Sequence, residues 1–398
     1  MEVPGFLAGA ARAGIKYEGR LDLGVIFSNS LCTTAAVFTS NLVKAAPVID
    51  SMNVLMESEG IRALVVNSGN ANACTGDKGL EDCMAIRQKA AELLDCNSNE
   101  VLVASTGVIG TFLPMERYMK GIEDACSSMD AMGLLKVSEA ILTTDTRPKV
   151  AMREVESRAG TIKIFGMAKG AGMIAPKLGP PQATMLAFIL TDAVVEGAYL
   201  QEMVQEGVDI SFNRITIDGD TSTNDTVLVL ANGNARNQVI DGYEKPSKEF
   251  KDALFSVLKS LSEQIVLDGE GATKCVKVCV FGAANQEEAR LCAEAICNSP
   301  LVKTAFFGQD PNWGRIMAAA GRSGACFSPE KVEIRVGDVV LVKDGLSVGS
   351  EAEKEAKKVM EGNRFEVVID LGEGNGEFFM LTCDLSTEYV HINADYRT

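Results

Sequence analysis

The chain has 398 residues, 46% hydrophobic and 23% charged, enough to bury a large core and to fill roughly two domains. Its 38 basic and 54 acidic residues leave a formal charge of -16, which argues against the clustered Lys and Arg of a nucleic-acid surface. The 11 scattered cysteines, an odd number without a Cys-x-x-Cys pair, suit reduced thiols in a cytoplasmic protein better than a disulfide framework, and no apolar run of about 18 residues offers a membrane span or a secretion signal.

In chain order, Leu23–Phe27 reads as a strand, as do Ala63–Val66 and Val101–Ala104. Between the last two, Lys78–Leu94 places Leu80, Met84, Ala91 and Leu94 at helical spacing. The second half repeats the mixture. Met185–Leu190, Arg214–Ile217 and Thr226–Leu230 read as strands, and Glu249–Val266 and Glu287–Ile296 as helices. A further helix is marked by Ala352, Ala356, Val359 and Met360, followed by the strands Phe365–Ile369 and Glu377–Thr382. The fold class is therefore mixed α/β. The one Pro/Gly-dense connection in the middle, Gly170–Pro181, is the natural boundary: it fits a domain linker, or a crossing between strands of one core.

The chemistry is constrained first by an absence. A Ser-His-Asp or Cys-His device needs an imidazole, and the single histidine, His391, sits in "TEYVHINADY", which reads as a terminal strand. A histidine-based metal site is excluded for the same reason, and the Cys275–Cys279 and Cys292–Cys297 spacings match no zinc pattern. "KGAGM" is a bare Gly-x-Gly, and no Gly-x4-Gly-Lys loop occurs. Taken alone, Glu270 in "DGEGATK" is a solvated loop residue.

A nucleophile in this chain needs a base other than histidine. One solution is a threonine at a new N-terminus, whose own α-amine, with a reference pKa near ~7.7–8.0, takes the hydroxyl proton. In "PPQATMLAFILTDA", Thr184 follows a small residue and a stiff loop and precedes an apolar run. On these residues alone, Thr184 either opens a strand as a β-branched residue or carries the chemistry.

Seven segments in register decide between these: "VVNSGNANACTG" (65–76), "STGVIG" (105–110), "TTDT" (143–146), "KGAGMIAP" (169–176), "ATMLAFILTDA" (183–193), "DGEGATK" (268–274) and "DPNWGRI" (310–316). Together they resemble the ornithine acetyltransferase family, the ArgJ-type glutamate N-acetyltransferases, over nearly the whole chain. The resemblance implies an ArgJ/DmpA-like layered fold of the N-terminal-nucleophile type with two interlocked halves. It also implies self-cleavage between Ala183 and Thr184 into an α chain (1–183) and a β chain (184–398), expected as a heterotetramer. Thr184 is then the nucleophile, and Thr106 and Gly107 form the oxyanion hole. Substrate contacts map to Thr143 (or, one residue on, Thr144), Lys169, Thr184, Glu270, Asn393 and Thr398. Acetyl moves from N-acetylornithine to glutamate, releasing ornithine, without cofactor or metal; bifunctional members also use acetyl-CoA.

The loops "VVNSGNANACTG" and "DPNWGRI" are expected to be structural, with Cys74 a buried thiol. Lys177–Gln182 makes the connection to Ala183 longer than is usual in the family. Two other readings compete. An N-terminal-nucleophile peptidase or amidase would pass the acyl group to water, and a non-enzymatic small-molecule binding protein would stay uncut.

Overall fold

The computed structural model of the protein describes residues 1–175, 185–243 and 245–395. The chain forms two compact units: Met1–Asn213 with Asp220–Ile265, and Arg214–Gly219 with Val266–Arg397. No helix among the described residues is long and apolar enough to cross a membrane.

The first unit contains β1 (Phe6–Ala11), β2 (Leu23–Phe38), α1 (Ala46–Glu57), β3 (Ile61–Asn67), α2 (Gly76–Leu94), β4 (Val101–Ser105), α3 (Met115–Ser127) and α4 (Leu134–Ala140). It continues through β5 (Lys149–Ser157), β6 (Gly160–Lys169), β7 (Leu186–Thr191) and α5 (Gly197–Asp209). After the short β8 (Ile215–Thr216) of the second unit come β9 (Thr226–Ala231) and α6 (Lys245–Leu267).

Its strands form one sheet in the order β4-β3-β2-β9-β7-β6-β5, with β1 also paired to β2. β2 is far longer than the expected Leu23–Phe27. Its first half pairs with β1 and β3 and its second half with β9. Alternate residues of β3 face opposite ways: Leu64 and Val66 pack with Leu134 and Val137 of α4, whereas Ala63 and Val65 pack with Cys83, Ile86 and Ala90 of α2. Within α2, Ala91 is buried and Leu80 and Leu94 pack against the same core, as the spacing suggested, whereas Met84 is exposed. On α6, Leu254, Val257, Leu258, Leu261 and Ile265 are fully buried at helical spacing. A Cβ on Gly166 of β6 would lie 2.6 Å from Val257 Cγ1, so the glycine lets α6 close onto the sheet.

β7 and β9 are buried at every position, which explains their unbroken apolar runs. β7 pairs with β6 from Lys169↔Leu186 to Ile164↔Thr191. The strands on the two sides of the Pro/Gly-dense connection thus share one sheet, and the units divide instead near residues 213–220 and 265–266.

The second unit adds β10 (Cys275–Ala283), α7 (Gln286–Cys297), α8 (Pro300–Phe307), α9 (Trp313–Gly321), β11 (Glu333–Val336), β12 (Val339–Lys343) and β13 (Leu346–Ser347). It ends with α10 (Ser350–Met360), β14 (Arg364–Asp370), β15 (Gly376–Cys383) and α11 (Thr387–Asp395). The sheet order is β13-β12-β11-β14-β10-β15-β8. Val276, Val278 and Val280 of β10 pack with Ala289, Cys292 and Ile296 of α7. Each large side chain buried in this way contributes about 1.5–3 kcal/mol.

Candidate active site

β3 and β4 run parallel, with Asn67 opposite Ser105, so their C-terminal ends open side by side. Beyond Ser105 the chain turns through Thr106 and Gly107. The Thr106 N–H donates to the Asn67 carbonyl at 3.0 Å and the Val108 N–H to the Gly69 carbonyl at 3.3 Å. Between them, the Gly107 N–H donates to no acceptor among the described residues. Gly107 has φ +134°, and a Cβ there would lie 2.3 Å from the Gly69 carbonyl carbon, so only glycine fits. A hydroxyl and an unspent N–H on adjacent residues can both donate to one oxygen that gains negative charge.

The segment 65–76 seats this turn. Asn67 Nδ2 donates to the Asn70 carbonyl at 2.9 Å, and Asn70 Nδ2 to the Thr111 and Phe112 carbonyls at 3.2 and 3.1 Å. The Asn224 amide reaches in from the approach to β9 and donates to the Ala71 carbonyl at 2.6 Å and the Ser105 carbonyl at 2.8 Å. Cys74 is not a buried thiol: it is exposed, at φ +57°, because the left-handed turn into α2 points its side chain outward.

Lys169 ends β6 and is only 7% exposed. Its Nζ donates to Thr143 Oγ1 at 2.8 Å and to Thr106 Oγ1 at 3.4 Å, which joins three of the expected site residues. Thr143, rather than its neighbour Thr144, makes this contact. Behind them the side chain of Asp145 is fully buried. Its Oδ1 accepts from Lys149 Nζ and from the Gly170 N–H, each at 2.6 Å, and its Oδ2 accepts from the Thr143 N–H at 3.0 Å and lies 3.8 Å from Lys169 Nζ. Burial alone would push this carboxyl up. The Lys169 and Lys149 ammoniums and the Gly170 N–H outweigh it and hold it well below the usual carboxylate range.

Asp225, just ahead of β9, behaves in the opposite way. It is 2% exposed and its Oδ2 has no hydrogen-bond partner among the described residues; burial pushes its carboxyl well above the usual range, against the Thr39 hydroxyl and the Lys169 ammonium. Asp145, Lys149, Asn224 and Asp225 were not singled out from the sequence. The signal available was "TSTND" (221–225), an Asn-Asp pair directly before an all-apolar strand.

In the second unit, Glu270 is 7% exposed in the loop between α6 and β10. Asn393 on α11 donates to its Oε2 at 2.7 Å, and also to the Tyr389 carbonyl at 3.0 Å. Asp384 fixes the same loop by accepting the Thr273 and Lys274 N–H groups at 2.8 and 2.9 Å. Glu270 is thus a built-in side chain rather than a solvated one. His391 lies exposed on helix α11, not on a terminal strand. Its β-branched neighbours suggested a strand, but strand propensity yields to tertiary context, and here the Asn393 bonds to Glu270 and Tyr389 hold the helix. "DPNWGRI" starts α9: Asn312 accepts from the Arg315 N–H at 3.1 Å, and Trp313 Nε1 donates to Glu353 at 3.2 Å.

Ala183, Thr184 and Thr398, and the added segment Lys177–Gln182, lie outside the described residues. Met185 is buried, and its carbonyl accepts from the Thr226 N–H at 2.8 Å at the entry to β7.

The model of the ArgJ family matches residues 7–398. The arginine biosynthesis bifunctional protein ArgJ of Geobacter sulfurreducens is 48% identical over 398 residues, covering 100% of both chains. The protein of the same name from Desulfotalea psychrophila is 46% identical over 398 residues, again 100% of both. Among solved structures, the crystal structure of the arginine biosynthesis bifunctional protein from Bacillus halodurans is 42% identical, with a TM-score of 0.51, and covers 54% of this chain and 100% of that one.

Proposed function

The chain belongs to the ArgJ family of arginine-biosynthesis enzymes, and from this premise we propose that it moves an acetyl group from N2-acetylornithine to glutamate through an acetyl ester on Thr184. The observation that carries the reading is the Lys169 ammonium, which donates to Thr143 and Thr106 beside a Gly107 N–H with no acceptor among the described residues.

Maturation comes first. The Thr184 hydroxyl attacks the Ala183 carbonyl, the peptide bond becomes an ester, and water hydrolyses it to an Ala183 carboxylate and a free Thr184 amine. The α chain is 1–183 and the β chain 184–398. The fully covered relative from Bacillus halodurans fits such a cut, since 54% of 398 residues is about 215, the length of the 184–398 chain.

In the first half-reaction the Thr184 amine takes the hydroxyl proton and Oγ attacks the acetyl carbonyl. The Thr106 hydroxyl and the Gly107 N–H hold the oxyanion; removing one such donor typically costs about 2.7–4 kcal/mol. The C–N bond breaks, the proton passes to the departing amine, and ornithine leaves. In the second half, the glutamate amine attacks the ester and Thr184 recovers its proton. Lys169 pairs with the substrate carboxylate and Glu270 with an ammonium, with Thr143, Asn393 and Thr398 completing the substrate contacts. Acetyl-CoA is a second donor, the α and β chains assemble as a heterotetramer, and the enzyme works in the cytoplasm.

A denaturing gel and a half-reaction assay test the reading. Wild type gives two bands of roughly half size and releases ornithine in a sustained way only with glutamate present, whereas Thr184→Ala gives one uncut, inactive band. Sustained ornithine release without glutamate would instead identify a hydrolase, and a processed or fully active Thr184→Ala chain would remove the mechanism.

A further inference from the structure

Four donors converge on the carboxylate of Asp145, a residue with no part in the proposed reaction. Oδ1 accepts from the Lys149 ammonium and the Gly170 N–H, and Oδ2 accepts from the Thr143 N–H and faces the Lys169 ammonium. Two of the four are backbone groups far apart in the chain: Gly170 directly follows Lys169 at the end of β6, and Thr143 lies in the loop between α4 and β5. One carboxylate therefore pins the two segments whose side chains meet, with Lys169 Nζ 2.8 Å from Thr143 Oγ1. Arg20, from the connection between β1 and β2, holds the loop on its other side by donating to the Leu142 and Thr143 carbonyls.

An ammonium has no lone pair, so Thr143 accepts in this pair and fixes the direction in which the Lys169 side chain ends. A lysine side chain is long and flexible, and a charge already held in one direction loses less freedom when an anionic group binds to it. The carboxylate that does the holding is specific in its chemistry. Every group that meets Asp145 is a donor, so the side chain of an isosteric Asn turns its NH2 on two of them whichever way it faces. The side chain is also fully buried, which keeps it out of contact with a bound substrate.

We propose that Asp145 is the positioning residue for the Lys169–Thr143 pair: by pinning the Gly170 and Thr143 backbone it sets the ammonium where the α-carboxylate of donor and acceptor is recognised. The inference rests on the reading of Lys169 as the carboxylate contact. Asp145 touches neither substrate and transfers no proton. Its effect reaches the reaction only through the charge that Lys169 presents.

Two donors that differ in one charge test it: N2-acetylornithine and its α-carboxamide, each with glutamate as acceptor. Wild type prefers the acid by about 10- to 100-fold in kcat/KM, as expected for a hydrogen bond to a charged group. Asp145→Asn is expected to lower that preference to the level of Lys169→Ala, and in the Lys169→Ala background to change it no further. A purely structural role lowers the amount of active enzyme and leaves the preference where it was, because both donors meet the same folded fraction. Asp145→Asn leaves the buried Lys149 ammonium without this carboxylate, so Asp145→Asn/Lys149→Met is made in parallel, and it too is expected to lose the preference.

A wild-type preference in either variant overturns the proposal. So does a further drop in the Lys169→Ala background, which shows that Asp145 acts by another route, and so does failure of both variants to fold or to be cut, which places its role outside recognition. A wild-type enzyme that does not distinguish the acid from the carboxamide removes the Lys169 reading itself, before any variant is made.

Discussion

The side-chain amide of Asn224 donates 2.8 Å to the carbonyl of Ser105, and its second proton reaches the Ala71 carbonyl at 2.6 Å. One buried residue thus ties the turn that carries Thr106 and Gly107 to the loop beneath it. Asn224→Ala strands both carbonyls away from water, at a cost of about 1–3 kcal/mol in stability. The expected kinetic signature is a fall in kcat with KM nearly unchanged, because on the proposed mechanism the displaced donors meet the oxyanion and not the ground-state substrate. Chemical denaturation and steady-state ornithine release measure the two effects separately; a loss confined to KM would show that the turn serves binding only.

Gly107→Ala tests the same turn from the other side. The added methyl meets the Gly69–Asn70 backbone at 2.3–2.5 Å, at a φ that L-residues rarely adopt. Backbone, unlike a flexible side chain, cannot step aside cheaply. On the proposed mechanism the variant is expected to cleave slowly, since self-cleavage and acetyl transfer would pass through the same oxyanion site. A time course on denaturing gels gives the cleavage rate, and cleavage at the wild-type rate would separate the two uses of the turn.

Asp145 lies between two buried ammoniums, from Lys149 and Lys169, at 2.6 and 3.8 Å. Its folded pKa is depressed, so its contribution to stability is present above the unfolded value of about 3.9 and is lost as pH falls through the folded value. Asp145→Asn leaves both cations without this carboxylate and is expected to cost about 3–5 kcal/mol at pH 7. The gap between wild type and variant should begin to narrow as pH falls to about 3.9, where the unfolded carboxyl takes its proton, and go on narrowing towards the folded value. Urea midpoints collected from pH 7 down to 3 follow its onset, and a gap that stays constant over that range would show that the carboxyl titrates normally.

The parts of this architecture that sequence alone exposed are those with one-dimensional signatures. β7 and β9 are apolar at nearly every position because both their faces are covered, and α6 and α7 repeat at helical spacing. The hairpin of β5 and β6 is less visible: β5 lies at the sheet edge, and its Arg153 and Glu154 face solvent, which breaks the apolar run. Asp145 and Asp225 were hidden for a different reason. Their placement comes from the register that brings the end of β6, the 142–146 loop and the approach to β9 together, across tens of residues of chain. Thr143, Lys169 and Glu270 were legible only through the family pattern, since a lone Lys or Glu in a glycine-rich loop carries no signal of burial.

Lys169 and Glu270 should fail differently. Both substrates carry an α-carboxylate, and Lys169, with its ammonium beside Thr143 and Thr106, suits a contact common to donor and acceptor. Glu270 is fixed by Asn393 at 2.7 Å and suits the δ-ammonium that N-acetylornithine has and glutamate lacks. Glu270→Gln keeps the shape and a partner for Asn393 but removes the charge. It is expected to weaken the N-acetylornithine half-reaction by about 1.5–3 kcal/mol, the range for a hydrogen bond to a charged group, and to leave acetyl transfer to glutamate nearly intact. Lys169→Ala is expected to impair both halves, and part of its loss will be structural because Asp145 then loses one of its two neighbouring cations among the described residues. Single-turnover ornithine release and single-turnover transfer from the pre-formed acetyl-enzyme separate the steps. Equal losses in the two steps for Glu270→Gln would mean that its charge acts on the whole site and does not read the donor's ammonium.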